Sequence, residues 1–181
     1  LRDRTGETLG ELSGRPAALV SFLDGVSLKK PQASHCGEAG RALADLHEAG
    51  QGFAMRRPNP LSVSGWRPLA DAAGARAERI SPGLSKRIAD ELALHEASWP
   101  QGLPSGVIHA DLFPDNVFFI GGACSGLIDF YFAAQDAFAY DLAICLNAWC
   151  FEPDLSFNMT KGRALLAGYE SRRRLTDAEV D

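Results

Sequence analysis

The feature that most constrains the fold is a change of hydrophobic period beyond Pro100. Before this residue, apolar side chains recur at the spacing of amphipathic helices, whereas short runs rich in β-branched and aromatic residues follow it. These runs occupy 107–108, 117–120 and 127–130, and Gly121-Gly122 lies between the second and the third. A two-glycine connection is typical of a tight β-hairpin turn. The sequence therefore predicts an α+β fold, mainly helical, with a small β-hairpin.

The helical segments are predicted from spacing and from their end signals. Between 34 and 49, Ala39, Ala42, Leu43 and Leu46 fall on one helical face, and Gly50 offers a C-terminal cap. Further helices are predicted at 69–80, 84–99, from about 139, where Leu142, Cys145, Leu146 and Trp149 share a face, and at 161–171. The apolar run 17–23 predicts a buried strand, and the proline-rich stretch 51–68 predicts a long loop.

Composition excludes several classes of function. The 181 residues carry a net charge of −5, which argues against nucleic-acid binding, because such proteins usually present a basic surface to phosphates. No apolar stretch approaches the roughly 20 residues needed to span a bilayer, and the N-terminal residues lack the apolar core of a signal peptide. We expect a cytoplasmic protein. The four cysteines form no C-x-x-C pair and are predicted to be reduced core thiols, with no zinc-ligand spacing.

Both ends of the chain suggest an internal fragment. The sequence begins without methionine, and it stops soon after Thr176 and Glu179, whose spacing is that of a capping box at the start of a helix. We therefore expect that this chain is one part of a longer protein.

The residues that carry chemistry lie on the predicted hairpin. His109, Asp111 and Asn116 fall in the turn-rich stretch IHADLFPDN, and Asp129 falls in an apolar run where a carboxylate needs a partner. The two ends of the hairpin can bring these groups together, and oxygen donors of this kind suit a hard cation such as Mg²⁺. The alternatives are a simple β-turn at LFPDN and an Asp129 paired with a basic residue.

These motifs resemble a known family. H-x-D-x-x-x-x-N followed by I-D-F matches the catalytic and metal-binding loops of the protein-kinase-like superfamily. More closely, HADLFPDNVFF, IDFYFAAQDAFAYDLA and ICLNAWCFEPD resemble the aminoglycoside-phosphotransferase-like homoserine kinases, over about residues 17–179. LVSFLDG is similar to the hinge between the two lobes, and ALADLHEAG to the first large helix beyond it.

The resemblance implies a kinase C-terminal lobe and a set of residue roles. Asp111 would be the catalytic carboxylate, while Asn116 and Asp129 would hold Mg²⁺ on the phosphates of ATP. The backbone of Phe22 and Leu23 would meet the adenine. The remaining assignments are structural support of the catalytic loop by His109 and Asp141, and contact with the acceptor, L-homoserine, by Asp136 and Trp149, with Asn147 and Glu152 as further candidates.

The same resemblance implies a division of the chain. Residues 1–24 would be a remnant of the N-terminal lobe with the hinge, and 25–181 a helical C-terminal lobe truncated at its end. TGETLGELSG has neither the glycine-rich phosphate loop nor its lysine, so the N-terminal lobe is largely absent and the activity belongs to a longer parent. Rival readings are a choline, methylthioribose, fructosamine or aminoglycoside kinase, and a non-catalytic pseudokinase.

Overall fold

The computed structural model describes residues 1–180. This part of the chain contains six α-helices and six short strands. The strands pair two by two, and each pair is antiparallel: β1 with β2, β3 with β6, and β4 with β5. In chain order the elements are β1 (Gly10–Leu12), β2 (Arg15–Ala17), α1 (Ala33–Ala49), α2 (Val63–Ala73), α3 (Leu84–Ser98), β3 (Ser105–Ile108), β4 (Val117–Ile120), β5 (Ala123–Leu127), β6 (Ala134–Ala137), α4 (Phe138–Cys150), α5 (Met159–Glu170) and α6 (Asp177–Val180).

The core forms where α1 packs against α4 and α5, with the β4–β5 hairpin beside them. Helices α1 and α5 approach to backbone contact through glycines. A Cβ added at Gly40 would lie 2.1 Å from the Leu165 carbonyl oxygen, and one at Gly168 would lie 2.0 Å from the carbonyl oxygen of Gly37. Both distances are far below a van der Waals contact, so only glycine permits this packing.

Helices α2 and α3 pack beside this core, and contacts between aromatic rings connect them to it. The rings of Trp66 and Trp99 meet edge to face, and Trp99 meets Tyr140 of α4 in the same way. The hydroxyl of Tyr140 and the indole N–H of Trp66 both donate to the carbonyl of Leu61. The pair is therefore held to the core next to the strands that carry the candidate site.

Several predicted elements agree with the structure. The helix expected at 34–49 is α1, the helix expected at 84–99 is α3, and the two-glycine turn joins β4 to β5 as a hairpin. All four cysteines are unpaired, and three of them are buried. No helix within residues 1–180 is long and apolar enough to cross a bilayer.

Three predictions of local structure were wrong. Of the strand expected at 17–23, only Ala17 is in a strand, and Phe22 is 90% exposed, because residues 18–22 lie on the surface and only Leu23 packs against the β4–β5 hairpin. The loop expected to reach 68 ends at Ser62, since α2 begins at Val63 and contains Pro68. The helix expected at 69–80 is divided between the end of α2 at Ala73 and a 3-10 helix at Gly74–Arg79, because Gly74 takes a φ of 46°.

Candidate active site

One buried carboxylate, that of Asp141, fixes the conformation of the loop between β3 and β4. Asp141, in the first turn of α4, accepts hydrogen bonds from the backbone N–H of His109 at 2.7 Å and of Ala110 at 2.9 Å. Ala110 has a φ of 63°, a left-handed conformation that costs a non-glycine residue about 1–2 kcal/mol. The two bonds to Asp141 hold the loop in this turn, and they set the direction in which Asp111 leaves it.

Asp141 is itself held by a chain of buried side chains. Its carboxylate accepts from Nε2 of His47 at 3.0 Å, and Nδ1 of His47 lies 2.8 Å from the hydroxyl of Tyr169. Because a carboxylate only accepts, Nε2 of His47 donates to Asp141, and the second ring nitrogen shares a hydrogen bond with the hydroxyl of Tyr169. Arg173 donates to the same hydroxyl at 3.1 Å, and burial raises the pKa of Tyr169 to about 12. Side chains from helices α1, α4 and α5 thus meet beneath the β3–β4 loop.

Asp111 and Asn116, both on the segment between β3 and β4, are in direct contact with each other. The side-chain amide of Asn116 donates to the backbone carbonyl of Asp111 at 2.8 Å and reaches its carboxylate at 3.4 Å. Burial raises the pKa of the Asp111 carboxyl, and the nearby charges of Asp129 and Asp115 raise that pKa further, against the opposing effects of His109 and Asn116. Asp111 is therefore a partly buried carboxyl with two acidic neighbours.

Asp129 is not inside a strand, as the sequence predicted, but two residues beyond the end of β5. It is exposed and has a φ of 62°, because the backbone turns into a short 3-10 segment at Phe130. Its position is coupled to the loop through Ile128, whose N–H donates to the carbonyl of Asn116 at 3.0 Å. The carbonyl of Ile128 in turn accepts from Nε2 of His109 at 2.9 Å. The structure thus brings Asp111, Asn116 and Asp129 to one place.

The arrangement offers oxygen ligands to a divalent cation. The carboxylate of Asp129 makes no ion pair within residues 1–180, so the structural alternative of an Asp–Arg or Asp–Lys pair is not seen there. The amide oxygen of Asn116 accepts no hydrogen bond in the same range. No group of three or more His, Cys, Asp or Glu side chains in the described chain forms a metal cluster. A carboxylate and an amide fit a cation that takes its other ligands from phosphate and water.

The predicted hinge residues run alongside the β4–β5 hairpin. Val26 exchanges two backbone hydrogen bonds with Phe119, at 3.1 and 3.0 Å, and Ser125 donates to the carbonyl of Asp24 at 2.7 Å. The side chain of Leu23 lies over Gly126, where an added Cβ would be 2.5 Å from it. The backbone at 22–24 therefore lies next to the hairpin that follows Asn116 and precedes Asp129.

The two residues predicted to contact the acceptor, Trp149 and Asp136, both make hydrogen bonds within the protein. Trp149 is 1% exposed, and its indole N–H donates to the carbonyl of Leu112 at 2.7 Å. The ring of Trp149 is buried beneath the β3–β4 loop and supports it, and its contact with the acceptor stays a prediction. Asp136 lies on β6 opposite Gly106, and its carboxylate accepts from Asn59 at 2.7 Å. Contact between Asp136 and the acceptor likewise stays a prediction.

Sequence reasoning found no role for His47, which the structure places at the centre of the buried chain. Its partners, Asp141 and Tyr169, are 94 and 122 residues away along the chain. A histidine on the apolar face of a helix is the only local signal, and that signal does not name a partner. His109, in contrast, is where the sequence predicted a supporting residue, although its Nδ1 has no hydrogen-bond partner within residues 1–180.

The chain is similar over most of its length to curated proteins of known function. The chain is 64% identical over 176 residues to homoserine kinase of Rhizobium meliloti strain 1021, covering 97% of this chain and 54% of that protein. It is 63% identical over 181 residues to homoserine kinase of Methylobacterium sp. strain 4-46, covering 100% of this chain and 56% of that protein. The chain thus spans about half the length of the curated relatives that it matches.

Solved structures share the fold at low identity. An aminoglycoside phosphotransferase from Alicyclobacillus acidocaldarius superposes with a TM-score of 0.70 at 16% identity, over 99% of this chain and 60% of that one. The amicoumacin kinase hAmiN, solved with AMP-PNP, Ca²⁺ and Ami, gives a TM-score of 0.69 at 14% identity, over 97% and 56% of the two chains. The model of the phosphotransferase enzyme family matches residues 2–175. The chain belongs to the phosphotransferase enzyme family.

Proposed function

We propose that this chain is the catalytic part of a homoserine kinase, which transfers the γ-phosphate of ATP to the hydroxyl of L-homoserine and gives O-phospho-L-homoserine. The observation that carries the proposal is the 64% identity over 176 residues to a homoserine kinase. The proposal includes the division expected from the sequence, with 1–24 belonging to an N-terminal lobe and hinge and 25–181 to the C-terminal lobe. It also places the enzyme in the cytoplasm, on the route to threonine.

Asp111 would align the acceptor hydroxyl for attack. Phosphoryl transfer has a loose transition state in which the hydroxyl proton leaves late, so alignment contributes more than basicity. The contacts support such a role, because the two bonds from the loop to Asp141 and the amide of Asn116 restrict where the carboxylate of Asp111 points. Partial burial also keeps bulk water away from one side of this carboxyl.

Asn116 and Asp129 would hold the divalent cation, Mg²⁺ in this proposal. When bound, the cation neutralises charge on the phosphates. The oxygen atoms of both side chains that would bind it are without protein hydrogen bonds or ion pairs within residues 1–180, so binding breaks no existing contact. The backbone at Phe22 and Leu23, next to the same hairpin, would take the adenine edge.

The test uses the full-length protein with Mg-ATP. We expect phosphorylation of L-homoserine, and Asp111→Asn should lower kcat by about 10²–10⁴-fold while the Kd for ATP stays near the wild-type value. Asp90→Asn is the matched control, because Asp90 pairs only with Lys86 on the exposed surface of α3 and should keep wild-type kcat. An unchanged rate in Asp111→Asn would remove Asp111 from its role.

The same assay addresses the rival predictions. A panel with choline, methylthioribose, fructosamine and an aminoglycoside tests the other acceptors. Turnover of one of these without turnover of homoserine would reject the proposed acceptor, and ATP binding without turnover of any alcohol would favour a pseudokinase.

A further inference from the structure

We propose that the cleft between the catalytic loop and the C-terminal end of α4 binds the amino-acid head of the acceptor, with its ammonium on Glu152 and its carboxylate on Lys29 and Lys30. The inference rests on the proposed function and adds the groups that select the substrate. Neither Glu152 nor the two lysines takes part in the site described above.

The cleft is continuous with the catalytic loop. It has a volume of about 420 Å³, and one of its walls is Pro114, three residues beyond Asp111. Trp149 also borders it, and the indole of Trp149 is bonded to the carbonyl of Leu112, which directly follows Asp111. A small acceptor seated here has its reactive end near the loop that carries Asp111.

Glu152 presents one free carboxylate oxygen in this cleft. Its Oε1 accepts from Asn158 at 2.7 Å and from Lys161 at 2.8 Å, and these two partners fix the side chain. Hydrogen bonding from Lys161, then from Asn158, lowers the pKa of Glu152, so the carboxylate stays ionised. Its Oε2 accepts no hydrogen bond within residues 1–180, which leaves it available to an ammonium group.

Lys29 and Lys30 supply the opposite charge. Both line the same cleft, and neither forms an ion pair in the described part of the chain. Lys161, in contrast, is committed to Glu152, and its side chain is only 15% exposed. The cleft therefore offers two unpaired cations and one carboxylate with a free oxygen.

This mixture of signs discriminates between classes of acceptor. A zwitterionic amino acid satisfies both signs at once, because its carboxylate can meet the lysines while its ammonium meets Glu152. A polycationic aminoglycoside or the cation choline would leave Lys29 and Lys30 facing like charge, which is unfavourable in a half-enclosed cleft. The cleft thus fits a small α-amino acid carrying a hydroxyl.

Steady-state kinetics of the full-length protein test the assignment. We expect Glu152→Gln to raise the KM for L-homoserine about tenfold to a hundredfold, with the KM for ATP within about twofold of wild type. The double variant Lys29→Met, Lys30→Met should raise the same KM to a similar extent. The matched controls are Glu96→Gln, which breaks an ion pair between α2 and α3, and Lys86→Met on the surface of α3, and both should leave the KM for homoserine unchanged.

Two truncated acceptors separate the two ends of the site. 4-Hydroxybutanoate lacks the ammonium. Its inhibition of homoserine phosphorylation should therefore be unchanged in Glu152→Gln and weaker in the lysine double variant. 3-Aminopropan-1-ol lacks the carboxylate. Its inhibition of the same reaction should therefore be weaker in Glu152→Gln and unchanged in the lysine double variant. If Glu152→Gln does not fold, the charge-retaining variant Glu152→Asp replaces it for the ammonium end, and the two inhibitors measured on the lysine variant decide the carboxylate end.

The outcomes distinguish the two proposals. If wild type does not phosphorylate homoserine, the proposed function fails, and the subsite fails with it. If wild type phosphorylates homoserine but the variants at 152, 29 and 30 keep its KM, the function stands and the subsite is overturned. Equal effects on homoserine and on ATP would also overturn the subsite, since they indicate a general disturbance of the lobe.

Discussion

Replacing His47 by leucine should destabilise the protein by about 2–4 kcal/mol. The change removes a hydrogen bond to the carboxylate of Asp141, worth about 1.5–3 kcal/mol, and one to the hydroxyl of Tyr169, worth about 0.5–1.5 kcal/mol. The cost is not larger because Asp141 keeps its two backbone donors and Tyr169 keeps Arg173. Since Asp141 positions the catalytic loop, kcat should also fall, by about 10–100-fold, with little change in the KM for ATP.

Urea denaturation of the full-length protein measures the first effect, and steady-state kinetics measure the second. His35→Leu is the control, because His35 lies on the same helix, is only half-buried and accepts a single hydrogen bond from the backbone of Gln32. Its loss should cost about 1 kcal/mol or less. If the two substitutions differ by less than about 1 kcal/mol, or if His47→Leu retains wild-type kcat, the buried chain does not support the loop as argued.

Two further predictions concern packing and charge. Gly40→Ala should lower the free energy of unfolding by about 3 kcal/mol, since its Cβ would lie 2.1 Å from the Leu165 carbonyl oxygen. Gly37→Ala is the control, because its Cβ would meet its nearest atom at 3.4 Å, and it should leave the stability unchanged or raise it. Urea denaturation of both variants measures the difference. Asp115→Asn should move the acidic limb of the kcat/KM profile to lower pH, because the charge of Asp115 raises the pKa of Asp111; an unchanged limb, or a shift to higher pH, would contradict this.

The elements predicted correctly are those with local signals. Helix α1 has both an apolar face and a terminal glycine, and the β4–β5 hairpin has two glycines, with φ of 58° and 89°, where the chain must reverse. The run at 17–23 has turn residues on both sides, Gly14 before it and Asp24-Gly25 after it, yet most of it is exposed and only Ala17 is in a strand. Periodicity reports that a segment is apolar, and it does not say whether another element will cover it.

The site was predictable to the same degree. Asp111, Asn116 and Asp129 lie at the two ends of one hairpin, so a correct hairpin brings them together, and the family resemblance names their roles. Of the support beneath them, the resemblance named Asp141, but its partners His47 and Tyr169 were not predictable, because the three residues come from helices that only the folded core brings into contact. Glu152 is intermediate, since its type suggested a substrate contact but its free oxygen is seen only with Asn158 and Lys161 in place.

Backbone strain marks the two positions where the site depends on the fold most. Ala110 and Asp129 both have positive φ, a conformation that glycine would adopt without cost. At 129 glycine would remove the carboxylate, so strain there follows from the chemistry. At 110 a glycine would widen the range of loop conformations, whereas alanine, held by the N–H bond to Asp141, restricts the direction of Asp111. The strain is therefore located where neighbouring hydrogen bonds can hold it, at Asp141 on one side and through Ile128 to Asn116 on the other.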